Sequence, residues 1–170
     1  MLFRSVIAMF LKSPEFQLYP ENRKSKVKRP VVLLPSLLRA VKANPDPAMV
    51  DYQNIRQTLN ELGERIRNAD PPTGYPDQSI VWASPGGLVQ RFNLVESTAV
   101  SYAASWGVSG AAPNADIVDD VIEVLFPLGG VSPATRTAAI GYLNSLAATN
   151  TQKVQQAGAF LLSSREFLTH

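Results

Sequence analysis

The chain has 170 residues, 45% of them hydrophobic and 18% charged, with a formal net charge of +2, a size and balance that suit one compact globular domain. It contains no cysteine, which excludes disulfide scaffolds, thiolate zinc sites, cysteine-held iron–sulfur clusters and cysteine nucleophiles. The one histidine is the last residue, His170, so neither a Ser-His-Asp triad nor a His-rich metal site can be built within it.

The chain opens on an apolar stretch, Met1 to Leu11, in which Leu2, Phe3, Val6, Ile7, Phe10 and Leu11 recur at helical spacing and Arg4 interrupts them. No small-residue cleavage site precedes Lys12, Ser13 and Pro14, which argues for a core-facing helix over a signal peptide. No stretch approaches the ~18 consecutive apolar residues of a membrane-spanning helix. Residues 14–30 are polar, basic and punctuated by proline, and read as a loop. Val31, Leu33, Leu34, Leu37, Leu38 and Val41 then fill one face of a second helix, in which Pro35 must occupy the first turn or bend the axis.

Met49, Tyr52, Ile55, Leu59, Leu62 and Ile66 step by three or four and predict a third helix from about Ala48 to Asn68, weakened by Gly63. Residues 70–83 hold a Pro-rich loop. Ser84 before Pro85 is a favourable cap pair for a fourth helix reaching about Trp106. Asn114 can cap a fifth, Ala115 to Phe126; Ser132 and Pro133 open a sixth, Ala134 to Ala147; and a seventh runs from about Thr151 to Phe167. The expected fold is therefore all-α, about seven helices in an irregular orthogonal bundle joined by Pro/Gly-rich loops.

Three features invite a functional reading. Arg23, Lys24, Lys26, Lys28 and Arg29 place five cations in seven residues, and residues 1–75 carry 12 basic against 7 acidic side chains. Such a run can contact phosphates or an anionic lipid surface. It lacks interleaved aromatics, which disfavours nucleic acid, and a solvated connector with one or two lysines paired to neighbouring carboxylates or carbonyls is the plainer alternative. Tyr75, Asp77 and Trp82 in the Pro-rich loop can form a ligand platform, or plug the end of the core with their polar tips on backbone partners. Asp116, Asp119, Asp120 and Glu123 share one helix face, where a hard cation can sit, although acids near a helix N-terminus are favoured by its dipole in any case. Ser109 is not a nucleophile elbow, because Ala111 stands where that motif needs glycine. No phosphate loop, dinucleotide fingerprint or zinc-protease motif occurs, so no catalytic, cofactor-binding or metal-binding residue is assigned.

Several blocks in order carry a family resemblance: Leu11 to Phe16 (LKSPEF), Lys26 to Pro30 (KVKRP), Leu62 with Gly63, and Gly74, Tyr75 and Pro76. They continue with Trp82, Ser84 and Pro85, Arg91 and Asn93, Ser132 to Arg136 (SPATR), and Leu162 to Phe167. Together they resemble the C-terminal part of the bacterial family called domain of unknown function 1800. Two departures stand out: Tyr75 replaces the family's usual Trp, and Arg165 the Pro of its terminal block. The resemblance implies longer, often exported bacterial proteins, frequently encoded beside a sulfatase-like family, and no known activity or site residues. It implies that this chain is one helical domain, 1–170, forming the C-terminal portion of a longer protein. A structural or interaction role without its own catalytic centre is expected, the alternative being part of an exported enzyme whose active site lies upstream. The first helix has an apolar face wide enough for contacts on two sides, so self-association is expected as well.

Overall fold

The computed structural model describes residues 2–13, 26–41, 52–67, 69, 74–76, 78–127 and 129–169. Its elements are α1 (Leu2–Lys12), α2 (Pro30–Ala40), α3 (Tyr52–Glu61), α4 (Ser79–Trp82), α5 (Pro85–Tyr102), a 3-10 turn (Ala103–Trp106), α6 (Asn114–Leu125), α7 (Pro133–Ser145), α8 (Asn150–Leu162) and α9 (Arg165–Leu168). The fold is all-α. Among the described residues the nearest thing to a strand is a single antiparallel bridge between Val27 and Thr169.

The helix starts follow their caps. Ser84 Oγ accepts from the Gly87 N–H and Ser132 Oγ from the Thr135 N–H, each followed by a proline at the first helical position. Thr149 and Gln152 form a reciprocal capping box at the head of α8.

α8 is the hub, packing against α5, α6, α7, α9 and the 3-10 turn. Its Val154, Ala157, Leu161 and Leu162 share one buried cluster with Val95 and Ala99 of α5, Ile117, Val118 and Val121 of α6, and Leu143 of α7. Leu33, Leu37 and Val41 reach that cluster from the N-terminal side. Each fully buried aliphatic side chain of this kind contributes roughly 1.5–3 kcal/mol. Gly158 is where α8 meets Trp106: a Cβ there would stand 2.3 Å from the indole Cη2.

Four local expectations change. The third helix ends at Glu61, because Gly63 takes φ +85° and turns the chain. Residues 79–82, expected as loop, make the short helix α4. The last helix divides at Ser163 and Ser164, and α9 begins anew. Asn114 does not cap α6; it is the first helical residue, its side-chain amide donating to Asn144 Oδ1 at 2.8 Å. Pro35 lies beyond the first turn of α2, which starts at Pro30.

Candidate functional site

The two loop features singled out in the sequence meet in space. The Arg29 guanidinium lies 5.7 Å from the Trp82 ring centroid, and the Trp82 and Tyr75 rings are 6.1 Å apart at 57°. Against Arg29 sits a residue the sequence reading passed over, Glu64. One of its carboxylate oxygens accepts from Arg29 Nε at 3.1 Å and also from Arg29 Nη2; the other accepts the Val31 backbone N–H at 2.9 Å. Glu64 is 5% exposed, so this is a buried carboxylate whose charge is met by a guanidinium and a backbone donor.

The aromatics are fixed by backbone bonds. Trp82 Nε1–H donates to the Pro76 carbonyl at 2.8 Å, while the Tyr75 hydroxyl accepts the Arg65 N–H at 2.9 Å and donates to the Arg65 carbonyl at 3.0 Å. Tyr75 thereby ties the loop to the turn that follows α3, and Trp82 ties α4 back to the loop before it.

Residues 26–30 act as a strut. The Val27 N–H donates to Ser79 Oγ at 3.1 Å and the Lys28 N–H to the Leu168 carbonyl at 2.9 Å. Lys28 Nζ lies 4.4 Å from the Phe167 ring centroid, a cation–π distance. Behind the strut Arg91 of α5 is 2% exposed and donates from Nη1 to the Lys28 carbonyl at 2.7 Å. Burial pushes the Arg91 pKa below its ordinary value, and Glu64 pulls it partly back. Of the basic run, Lys28 and Arg29 are thus engaged at the two sides of the strut. Arg23, Lys24 and Asp77 lie outside the described residues.

The acidic face of α6 divides. Asp119 takes a bidentate pair from Arg136, Nε to Oδ1 and Nη2 to Oδ2, each at 2.6 Å, and that hydrogen bonding lowers the Asp119 pKa. Asp120 and Glu123 instead border an open cleft of about 510 Å³ facing Trp106 and Val108. The Trp106 N–H is buried and has no hydrogen-bond partner among the described residues. Near the C-terminus Glu166 accepts from Thr135 Oγ1 at 2.7 Å and from the Ser132 N–H at 3.3 Å, which ties α9 to the head of α7. Burial raises the Glu166 pKa, but bonds from Thr135, its own backbone and Ser132 outweigh this and bring it to about 2.

With the geometry in place, several blocks spread along the sequence form one chain of contacts: Phe167 with Lys28, Lys28 with Arg91, Arg29 with Glu64 and Trp82, Trp82 with Pro76 and Tyr75, and Tyr75 with Arg65. The chain belongs to the family described as protein of unknown function (DUF1800), which it matches over residues 3–169. Comparison with curated proteins and with solved structures found no match.

Proposed function

We propose that the chain serves as a helical structural and interaction region whose shape is held by the Arg29–Glu64–Trp82 clasp. The observation that supports this reading is the employment of the chemically able side chains. Glu64 is engaged by Arg29 and the Val31 N–H, Arg91 by the Lys28 carbonyl and the neighbouring Glu64 charge, and Trp82 by the Pro76 carbonyl. Groups so engaged stabilise a fold, and freeing any one of them would strand a buried charge or donor. The clasp joins the turn after α3, the strut, α4 and α5.

Calorimetric titration of the whole chain tests the reading, with inorganic phosphate as the probe for anion contact and a soluble oligosaccharide as the probe for an aromatic platform. The structural role gives no saturable heat with either. A saturable heat that disappears in Arg29→Ala or Trp82→Ala, with the helical circular dichroism unchanged, would replace it with a ligand-binding role.

A further inference from the structure

The open cleft beside α6 shares no residue with the clasp. It is lined by Trp106 and Val108, in and just after the 3-10 turn, and by Asp120, Glu123, Val124 and Pro127, and its volume is about 510 Å³. Helix stability does not account for its acids. α6 spans Asn114–Leu125, so Asp120 lies beyond the first turn, where the dipole favours a carboxylate, and Glu123 stands in the last turn, where the dipole opposes one. Neither side chain has an ion-pair or hydrogen-bond partner among the described residues, whereas Asp119 beside them has Arg136. An unmet donor faces the same space. Trp106 is 7% exposed and its Nε1–H finds no acceptor among the described residues. The Cη2 and Cζ3 edge of its ring meets α8 at Gly158, and Nε1 stands across the ring from that edge. No α8 residue lines the cleft, so the N–H is turned from α8 towards the cleft.

We propose that this cleft receives a lysine side chain from a partner polypeptide, with its ammonium between Asp120 and Glu123 and a main-chain carbonyl of the same segment on the Trp106 N–H. Asp120 and Glu123 are three residues apart on one helix face, a spacing that lets both carboxylates flank one compact cation. Among the described residues no three metal-ligating side chains come together, so an organic cation fits the pair better than a bare metal ion does. Val108 and Val124 are half-buried and suit the alkyl stem of a lysine, which packs along apolar surface while its head stays with the charge. The indole donor selects for a ligand that also carries an acceptor, which a polypeptide does at every residue. Nε1 is covered, so the carbonyl reaches it as residues 106–108 shift, and Gly107 beside it has open space where a Cβ would stand. Meeting a buried donor that is otherwise unpaired adds to the affinity. The proposal names the partner chemistry of the interaction role put forward above and rests on that role.

The test is a titration of the whole chain with the blocked tripeptide acetyl-Gly-Lys-Gly-amide, followed through the indole N–H signals in proton–nitrogen correlation spectra. The Trp82 signal is recognised by its loss in Trp82→Phe. The Trp106 signal is expected to move downfield and saturate, with affinity weakened roughly tenfold in Asp120→Asn with Glu123→Gln, the effect of removing two surface ion pairs. Both replaced side chains are exposed, so helical circular dichroism should be retained. Pentylamine, an ammonium without a carbonyl, is expected to bind without that downfield movement. No movement with the lysine tripeptide, equal movement with its norleucine analogue, or an unaltered affinity in the double variant overturns the proposal; the first of these together with saturation by magnesium chloride would make the cleft a metal site. The phosphate and oligosaccharide titrations above test the clasp separately, at Arg29 and Trp82, which the cleft does not use.

Discussion

Arg91 donates to the carbonyl of Lys28 at 2.7 Å across 63 residues of chain, and the Glu64 carboxylate lies close enough to act on its charge. A buried guanidinium held in this way ties the long helix α5 to the strut that runs past α4 and α9. Two arginines flank one buried carboxylate, so the arrangement depends on every member being present.

Arg29→Ala should be the most costly single change in the clasp. It leaves Glu64, 5% exposed, with the Val31 N–H as a hydrogen-bond donor and the more distant Arg91 as the nearby cation. Removing one partner of a buried ion pair costs roughly 3–5 kcal/mol, and because Arg29 itself is partly open to water the expected loss is about 3 kcal/mol. Urea unfolding measures it; a change below about 0.5 kcal/mol would mean the pair is energetically idle.

Glu166 gives the fold an acid-sensitive joint. Its pKa of about 2 lies below the ordinary carboxylate value, so its contribution to stability is fully present above about pH 4.5 and is lost as pH falls towards 2. In Glu166→Gln that contribution no longer titrates. Thermal midpoints followed from pH 6 to pH 2 (about the carboxylate range) should therefore fall less steeply in Glu166→Gln than in the unaltered chain; parallel curves would show that the bonds to Thr135 and Ser132 carry no linkage.

The same substitution should have opposite signs at two helical glycines. At Gly141 of α7 an added Cβ meets nothing, and alanine should stabilise by about 0.5–1 kcal/mol through helix propensity. At Gly158 of α8 the Cβ would fall 2.3 Å from Trp106 Cη2, and overpacking of this kind costs about 1–3 kcal/mol. Melting temperatures of Gly141→Ala and Gly158→Ala should thus move apart; a rise in both would mean that Trp106 yields freely.

The helices were legible from local signals. Ser84 with Pro85 and Ser132 with Pro133 mark their starts because a cap and a preset φ act on neighbouring residues only. The clasp was half legible: Arg29, Tyr75 and Trp82 stand out by composition, but their meeting depends on where α2, α3 and α5 pack. Glu64 was missed because Gly63 reads as a weak point inside a continuing helix. At φ +85° it is the stop, and the reversal that follows delivers Glu64 to Arg29. The signal was an acid directly after a Leu-Gly pair, 35 residues from a basic run whose charge needed an answer.

Hydrogen exchange by mass spectrometry on Arg91→Met tests the clasp most directly, since methionine fills much of the same volume without the donor. The account predicts faster exchange in residues 26–34, 78–83 and 165–169, with protection in α6, α7 and α8 retained. Unchanged protection across those segments, or a uniform loss over the whole chain, would contradict a clasp that joins the N-terminal elements to the C-terminal bundle.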